Sequence, residues 1–345
     1  MFALALLGVT LLWALVPLLP ALLELRSRNN LKPLEVTDRS SGRVSFFARN
    51  FKQYLDKVLP QEAGVGDYAA KLLDGTEFIR VNRRADQLAA AQKTEPRLVI
   101  FDAPHSLPGD QTYLMEVFSR AALSSGPETN YRAVYSEDDL SLGEHNRVFR
   151  WVHANGALTI GSHSILRGRV SSEFKVVMGS DVIFERAGAP VIAHRDVSEP
   201  PAATRTGLRA WNLPVGAQKV GDHLRIVGDL DIPKETLVSG NLVVTGRLRV
   251  GTGALVDGSV KAYCDIELAD KARVSGAVVS RSRLALGEAA WIGGPALAER
   301  TVRLGRGAVV GVPSREVSVA GVEVELSEGA TVYGQISAIR GARTT

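Results

Sequence analysis

The chain has 345 residues, 45% of them hydrophobic and 33 of them glycine, a composition that excludes wholesale disorder and is not that of a helical bundle. Its single cysteine, Cys264, excludes an internal disulfide and a Cys-x-x-Cys metal or redox site. A formal net charge of +4 is too small to argue for nucleic acid, so we expect no nucleic-acid partner.

Residues 1–24 are predicted to form a transmembrane anchor. Residues 1–23 carry no charged side chain, and as a helix they would span roughly 35 Å, enough to cross a hydrocarbon core of about 30 Å. The alternative is a cleaved signal peptide, which needs a basic start and a small-residue cleavage site. The sequence offers neither, which favours an uncleaved single span.

Residues 25–45 are predicted to be a basic juxtamembrane linker. Because Lys and Arg stay on the cytoplasmic side, the body of the protein is expected in the cytoplasm. The linker either contacts anionic headgroups or is an ordinary solvated segment. The basic residues after the span are Arg26, Arg28, Lys32, Arg39, Arg43 and Arg49.

Residues 46–135 are predicted to be a small mixed α/β segment. Its first element is an amphipathic helix that Pro60 ends. Asp102 and His105 bracket a turn and are interpreted as a turn aspartate and a solvated histidine rather than a catalytic pair. The further predicted elements are strands at 77–81 and 97–101 and helices at 86–92 and 113–123.

From residue 230 onward the sequence repeats with a period of 18. After a four-residue insertion near 312–319 the pattern returns. The apolar columns, which we expect to form the core and support assembly, contain Leu230, Ile232, Leu248, Val250, Ile266, Leu268, Leu284, Leu286, Val302, Leu304, Val324 and Leu326. Glycines predicted to lie at turns follow at the same spacing: Gly240, Gly258, Gly276 and Gly294.

The same template fits an earlier part of the chain, starting near residue 140. Its columns include Leu140, Leu158 and Val176, then Gly143, Gly161 and Gly179. The patterns divide the chain into an anchor (1–24), a basic linker (25–45), a mixed α/β segment (46–135), a first solenoid block (136–193), a loop or linker (194–226), a second solenoid block (227–336) and a tail (337–345).

Strict alternation inside each repeat indicates strands with one buried face. A period of 18 allows three short strands per turn, and stacked turns bury a continuous apolar column. The sequence therefore predicts a β-solenoid.

Residues 18 apart should then lie one above the other, roughly 4.7–4.9 Å apart. Charges at this spacing alternate in sign, which predicts ion pairs between neighbouring coils, each contributing about 0.2–1 kcal/mol. The predicted ladder consists of Asp229, Arg247, Asp265 and Arg283 in one column and Asp231, Arg249 and Glu267 in another.

Residues 237–294, and the pattern that continues to Gln335, resemble the bactofilins, bacterial polymer-forming cytoskeletal proteins. The resemblance is carried by V-x-G-x-[LV] steps that alternate with [LI]-x-[LV]-[GA]-x-x-A. It implies a right-handed β-helix that polymerises end to end without nucleotide and acts as a membrane-associated scaffold for cell-envelope proteins. It also implies a location at the bacterial inner membrane. The added span, mixed segment and earlier coils depart from the short plan of that family.

The ends of the solenoid also favour self-association, because terminal coils expose unpaired backbone. The last coil is followed only by residues 337–345, too few for a capping helix. We expect this end either to pair with another copy or to be covered by the mixed segment.

The strongest alternative is a left-handed hexapeptide-repeat acyltransferase or a related sugar-modifying enzyme. Residues 250–254 and 286–290 fit its repeat, [LIV]-G-x-x-[AS]. However, His163 and His223 have no carboxylate partner evident from spacing, and His145 and His153 are interpreted as outward positions. The sequence lacks the P-loop, HExxH, EF-hand and GxSxG motifs. We therefore expect a scaffold with no catalysis, no cofactor and no metal.

Overall fold

Short segments that alternate buried and exposed side chains form the strands of this protein. The computed structural model describes residues 43–59, 68–81, 93–202, 205, 207–211, 217–221 and 223–345. Of the described residues, 56% are in strands and 5% in helix, and the strands wind into a β-solenoid of about 14 turns. The prediction of a mainly β chain built on a solenoid is confirmed.

The described residues contain one helix and two blocks of strands. The first block comprises α1 (Phe46–Val58), β1 (Tyr68–Lys71), β2 (Glu77–Val81), β3 (Thr94–Glu95), β4 (Leu98–Phe101), β5 (His105–Leu107), β6 (Thr112–Ser119), β7 (Leu123–Ser125), β8 (Asn130–Ser136), β9 (Leu140–Leu142), β10 (Arg147–Ala154), β11 (Ala157–Ile160), β12 (Ile165–Ser172), β13 (Lys175–Met178) and β14 (Ile183–His194).

The second block begins after residue 202. It comprises β15 (Arg209–Ala210), β16 (Gln218–Val220), β17 (His223–Ile226), β18 (Leu230–Ile232), β19 (Thr236–Ser239), β20 (Asn241–Val244), β21 (Leu248–Val250), β22 (Leu255–Asp257), β23 (Val260–Ala262), β24 (Ile266–Leu268), β25 (Arg273–Val274), β26 (Val278–Ser280), β27 (Arg283–Leu286), β28 (Trp291–Ile292), β29 (Ala296–Ala298), β30 (Thr301–Leu304), β31 (Val309–Val310), β32 (Val317–Leu326) and β33 (Thr331–Thr344).

The parallel ladders follow the predicted period. Leu248 in β21 pairs with Leu230 in β18 on one side and with Ile266 in β24 on the other, and each partner is one full period away. The predicted insertion is present, because Val302 pairs with Val324, which lies further along the chain than a single period. Every residue of the predicted core columns is buried, and burying each such side chain contributes roughly 1.5–3 kcal/mol.

Close approach of the neighbouring coil leaves no room for a side chain at three of the four predicted turn glycines, whereas Gly240 has open space and is required for its backbone conformation. Gly240 has a φ of +105°. A Cβ on Gly258 would lie 2.4 Å from the Gly240 carbonyl oxygen, and one on Gly276 would lie 2.4 Å from Ser259 Oγ. On Gly294 it would lie 2.8 Å from Ala277 N. Neighbouring coils could not stack at strand spacing with larger residues here.

A different column supplies left-handed corner residues, and polar residues occupy it more often than glycine does. This column was not predicted. Its members are Asp110, Glu128, His145, His163 and Asp181 in the first block and Glu235, Gly253, Lys271, Ala289, Gly307 and Gly329 in the second.

The prediction of a mixed α/β segment over 46–135 is wrong in its helix at 113–123 and in placing the start of the coils after residue 135. The stretch predicted as a helix at 113–123 contains β6 and the start of β7. Val99 in β4 pairs with Val117 in β6, so the coils begin well before residue 140. Here parallel neighbours satisfy the backbone, which overrides a local pattern compatible with a helix. The strands predicted at 77–81 and 97–101 are confirmed, and the helix predicted at 86–92 lies outside the described residues.

The two boundaries drawn around the second block also differ in the structure. Part of the predicted loop at 194–226 belongs to the solenoid, because β15 pairs with β19 and β17 pairs with β20. The predicted tail at 337–345 is the second half of β33, which pairs with β32 as far as Thr344.

The last coil of the second block pairs with the last coil of the first. β14 and β33 run antiparallel, with Ala187 opposite Ile336 and Ile192 opposite Val332. At the edge of this junction Val182 N donates to Thr344 Oγ1 at 2.9 Å. The C-terminal coil, expected to meet another copy or the mixed segment, is instead covered by the chain's own first block.

Helix α1 lies on the outer face of the first block. Its Leu55 is buried in a second apolar cluster with Phe118, Ala133 and Trp151. Ion pairs connect the exposed sides of the helix to the first block. In one of them Arg49 Nη2 lies 2.8 Å from Glu173 Oε1. None of the described helices is long and apolar enough to span a membrane, and the predicted anchor, residues 1–24, lies outside the described part of the chain.

Candidate functional site

The charged columns of the second block form ion pairs between successive coils. Asp229 and Arg247 lie 3.0 Å apart, and Asp265 and Arg283 lie 2.8 Å apart. Arg249 Nε is 3.6 Å from Glu267 Oε1, and Asp231 faces Arg249 in the ladder. These contacts are solvent-exposed, so they order the outer face and contribute little stability each.

The ladder holds its carboxylates in the charged form. The Arg247 backbone N–H, with the guanidinium, lowers the pKa of Asp229. The Arg283 guanidinium, with the Ser282 side chain, lowers the pKa of Asp265 to about 2. Both shifts favour the ionised carboxylate, which keeps the outer face zwitterionic above acidic pH.

We expect Asp265→Asn to reduce the acid sensitivity of the fold. Because the folded pKa of about 2 is below the ordinary 3.8, the pair stabilises fully above about pH 4 and loses its contribution as pH falls toward 2. At this exposure the contribution is about 0.5–1 kcal/mol. Thermal midpoints from pH 5 to pH 2 should therefore converge between wild type and variant, and a gap independent of pH would contradict the assignment.

The histidines singled out from the sequence do not form one site. His145 and His163 stack on neighbouring corners with centroids 4.9 Å apart, and His163 Nδ1 lies 3.4 Å from Asp181. His223 is half-buried on β17. Within the described ranges, no group of three or more His, Cys, Asp or Glu side chains could hold a metal ion.

His153 was predicted to point outward and is instead fully buried. Its Nδ1 lies 2.8 Å from Ser171 Oγ and its Nε2 lies 3.2 Å from Asn155 Oδ1. Burial lowers the pKa of His153, which favours the neutral ring. The prediction failed because α1 covers this column, and the helix contributes Arg49, which pairs with Glu173 beside the ring.

A polar cavity of about 340 Å³ lies where α1 begins against the junction. Its lining includes Ser45, Arg49, Ser171 and Glu173. Ser171 is 3% exposed, and both nitrogens of the imidazole that faces it have polar partners. The network therefore connects the polar ends of neighbouring coils to the helix.

A cluster of arginines on one corner of the first block was missed. This arginine corner consists of Arg132, Arg150, Arg167, Arg169 and Arg186, on strands β8, β10, β12 and β14. The signal was available, because Arg132, Arg150 and Arg186 recur at multiples of the 18-residue period. At this corner the ladder shifts by one residue between β8 and β10 and again between β12 and β14, so the five arginines do not all share one period.

The two outer ends of the solenoid carry short antiparallel strands. β1 pairs with β2 at the start of the first block, and β16 pairs with β17 at the start of the second. Within the described part of the chain these edge strands have no second neighbour. Ala69 and Ala70 of β1 are exposed, as is the whole of β16.

No family model, curated protein or solved structure matches this chain. The β-solenoid is shown by the strands and ladders themselves. A function must be argued from the geometry of the junction, the free ends and the charged surfaces.

Proposed function

We propose that the protein is a membrane-anchored, self-associating β-helical scaffold of the bactofilin type. In this proposal it organises or recruits cell-envelope proteins at the cytoplasmic face of the bacterial inner membrane, without catalysis, and its coils wind right-handed. The observation that carries the proposal is the junction, because it is an end-to-end contact between two solenoid blocks made by antiparallel strands. Solenoid ends of this sequence can therefore join strand to strand.

The junction also limits where copies could join. The last coils of the two blocks already pair with each other through β14 and β33. Self-association would therefore use the outer ends at β1 and β16. Edge strands leave backbone N–H and C=O groups for another chain. The β1 sequence Tyr-Ala-Ala-Lys carries a single charge, at Lys71, so two copies of this strand could align antiparallel without opposed like charges.

The long faces of the rod support a scaffold role. Each coil repeats the same outward positions, so a partner that recognises one coil can be bound at several levels. On the outer face of the second block, the ladder pairs place opposite charges next to each other. Such a mixed-charge face suits exposure to solvent rather than burial against another domain.

Assembly is testable with the full chain in detergent, by electron microscopy and sedimentation across micromolar concentrations. We expect oligomers or filaments from the wild type. Ala69→Lys with Ala70→Lys places charges on the β1 edge and should lower the association constant about tenfold or more. The control, Ser141→Lys with Thr159→Lys, adds the same charge at exposed positions of inner coils and should assemble normally. A wild type that is monomeric throughout would overturn the proposal.

Two further measurements test the other parts of the proposal. A reporter fused to the C-terminus should be found in the cytoplasm, and export of the body would overturn the orientation. Calorimetry with acyl-coenzyme A should detect no binding, whereas saturable binding would favour the acyltransferase alternative.

A further inference from the structure

We infer that the arginine corner of the first block is a docking surface for anionic lipid headgroups. The inference deepens the proposed function, because it identifies the face that meets the membrane, and it rests on the anchor proposed above. It is carried by the stacking of the arginines, their shortage of acidic partners, the apolar side chains among them and their position beside Arg43.

The arginines follow one another along the rod. Trp151, Arg169 and Arg186 are ladder neighbours in three successive coils. Arg150 lies next to Trp151 in the same strand, and Arg132 lies in β8 of the preceding coil, at the same irregular corner. Successive coils are roughly 4.7–4.9 Å apart, so the five arginines lie on four neighbouring strands at one corner and form a basic strip.

Few carboxylates neutralise this strip. Glu116 lies 3.1 Å from Arg132 and 3.7 Å from Arg150, so a single carboxylate forms ion pairs with two arginines. Among the described residues, no carboxylate comes within ion-pair distance of Arg167, Arg169 or Arg186, in contrast to the paired arginines of the second block. Burial, with the charge of Arg186 added, lowers the pKa of Arg169, so an anion would relieve repulsion here.

Apolar side chains project from the same corner. Leu114 and Phe149 are about half-exposed, and Phe47 of α1 is similarly exposed. The Arg169 guanidinium lies 4.5 Å from the centroid of the Phe47 ring. Exposed aromatic rings beside arginines suit a membrane interface, where rings lie at headgroup depth and guanidinium groups bind phosphates.

The arginine corner also contacts Arg43, which lies in the predicted basic linker. Arg169 Nη1 donates to the Arg43 carbonyl oxygen at 3.0 Å. That linker follows the proposed anchor in the sequence. This connection favours a lipid surface over a nucleic acid as the anionic partner.

The test uses full chain held in phosphatidylcholine nanodiscs and measures flotation with separate vesicles, either of phosphatidylcholine alone or with added phosphatidylglycerol. We expect binding only to the phosphatidylglycerol vesicles, weakened by salt. Arg150→Gln, Arg167→Gln and Arg186→Gln combined should weaken it at least about tenfold. The control combines Arg247→Gln, Arg249→Gln and Arg283→Gln, which removes the same charge from the ladder and should bind as wild type does.

Other outcomes would overturn the inference. The inference would be wrong if the wild type did not bind the vesicles, or if both triple variants lost vesicle binding equally. It would also be wrong if millimolar inorganic phosphate displaced the vesicles, or if the protein bound a single-stranded oligonucleotide in place of vesicles. Unchanged thermal midpoints would show that both variants fold. Alkaline extraction of membranes tests the anchor and electron microscopy tests assembly, so failure of the docking surface is distinguishable from failure of the proposed function.

Discussion

Replacing Ile336 with aspartate is expected to lower the free energy of unfolding by about 4 kcal/mol. Ile336 is fully buried at the centre of the junction. It pairs with Ala187 of the first block on one side and with Val319 of the second on the other. A carboxylate there would lose its hydration between two apolar strands. This loss would destabilise the pairing of β14 with β33, which joins the two blocks.

The same strand supplies the control for this variant. Ile339 is 81% exposed, so Ile339→Asp should change the free energy of unfolding by no more than about 0.5 kcal/mol. Urea denaturation measures both variants, and limited proteolysis should cut Ile336→Asp between the blocks. Equal stability of the two variants would show that β14 and β33 do not form the junction in solution.

Removing the carboxylate of Asp102 is expected to cost about 3 kcal/mol. Asp102 and His105 were interpreted as a turn aspartate and a solvated histidine, but His105 is buried and Asp102 is the partner of Arg80, whose side chain is 1% exposed. The guanidinium donates through Nε and, at 3.0 Å, through Nη2. Without the carboxylate a buried charge loses a bidentate partner.

Asp56→Ala is the matched control. Asp56 pairs with Lys52 one helical turn away on the exposed side of α1, and such pairs contribute about 0.3–0.5 kcal/mol. The difference between the two variants in chemical denaturation measures the effect of burial. A loss for Asp102→Ala no larger than that for Asp56→Ala would mean that Arg80 is solvated in the folded protein.

The repeat made most of the second block predictable. Leu248 and Ile266 could be placed in one column because a single period separates them, and the ladder of Arg249 and Glu267 followed from the same period. The break in the period also predicted the insertion that separates Val302 from Val324.

The first block was harder to predict, because its spacing varies. Phe78 and Leu98 are ladder neighbours separated by more than one period, whereas Val117 and Val134 are neighbours separated by less than one. Bulges at the arginine corner cause part of this variation. The arginine corner was therefore visible in the sequence as a near-periodic set of arginines, but the small number of carboxylates paired with it could be seen only in the structure.

The 18-residue period was enough to predict the strands, the core and the register of most coils from about residue 140 onward. It could do so because each coil contacts only its immediate neighbours, so a fixed separation along the chain becomes a fixed separation in space. Only the tertiary structure decided that β14 covers β33 and that α1 buries His153. These contacts join segments that no shared period relates, and they form because exposed strand edges and apolar faces remain to be covered after the coils have stacked.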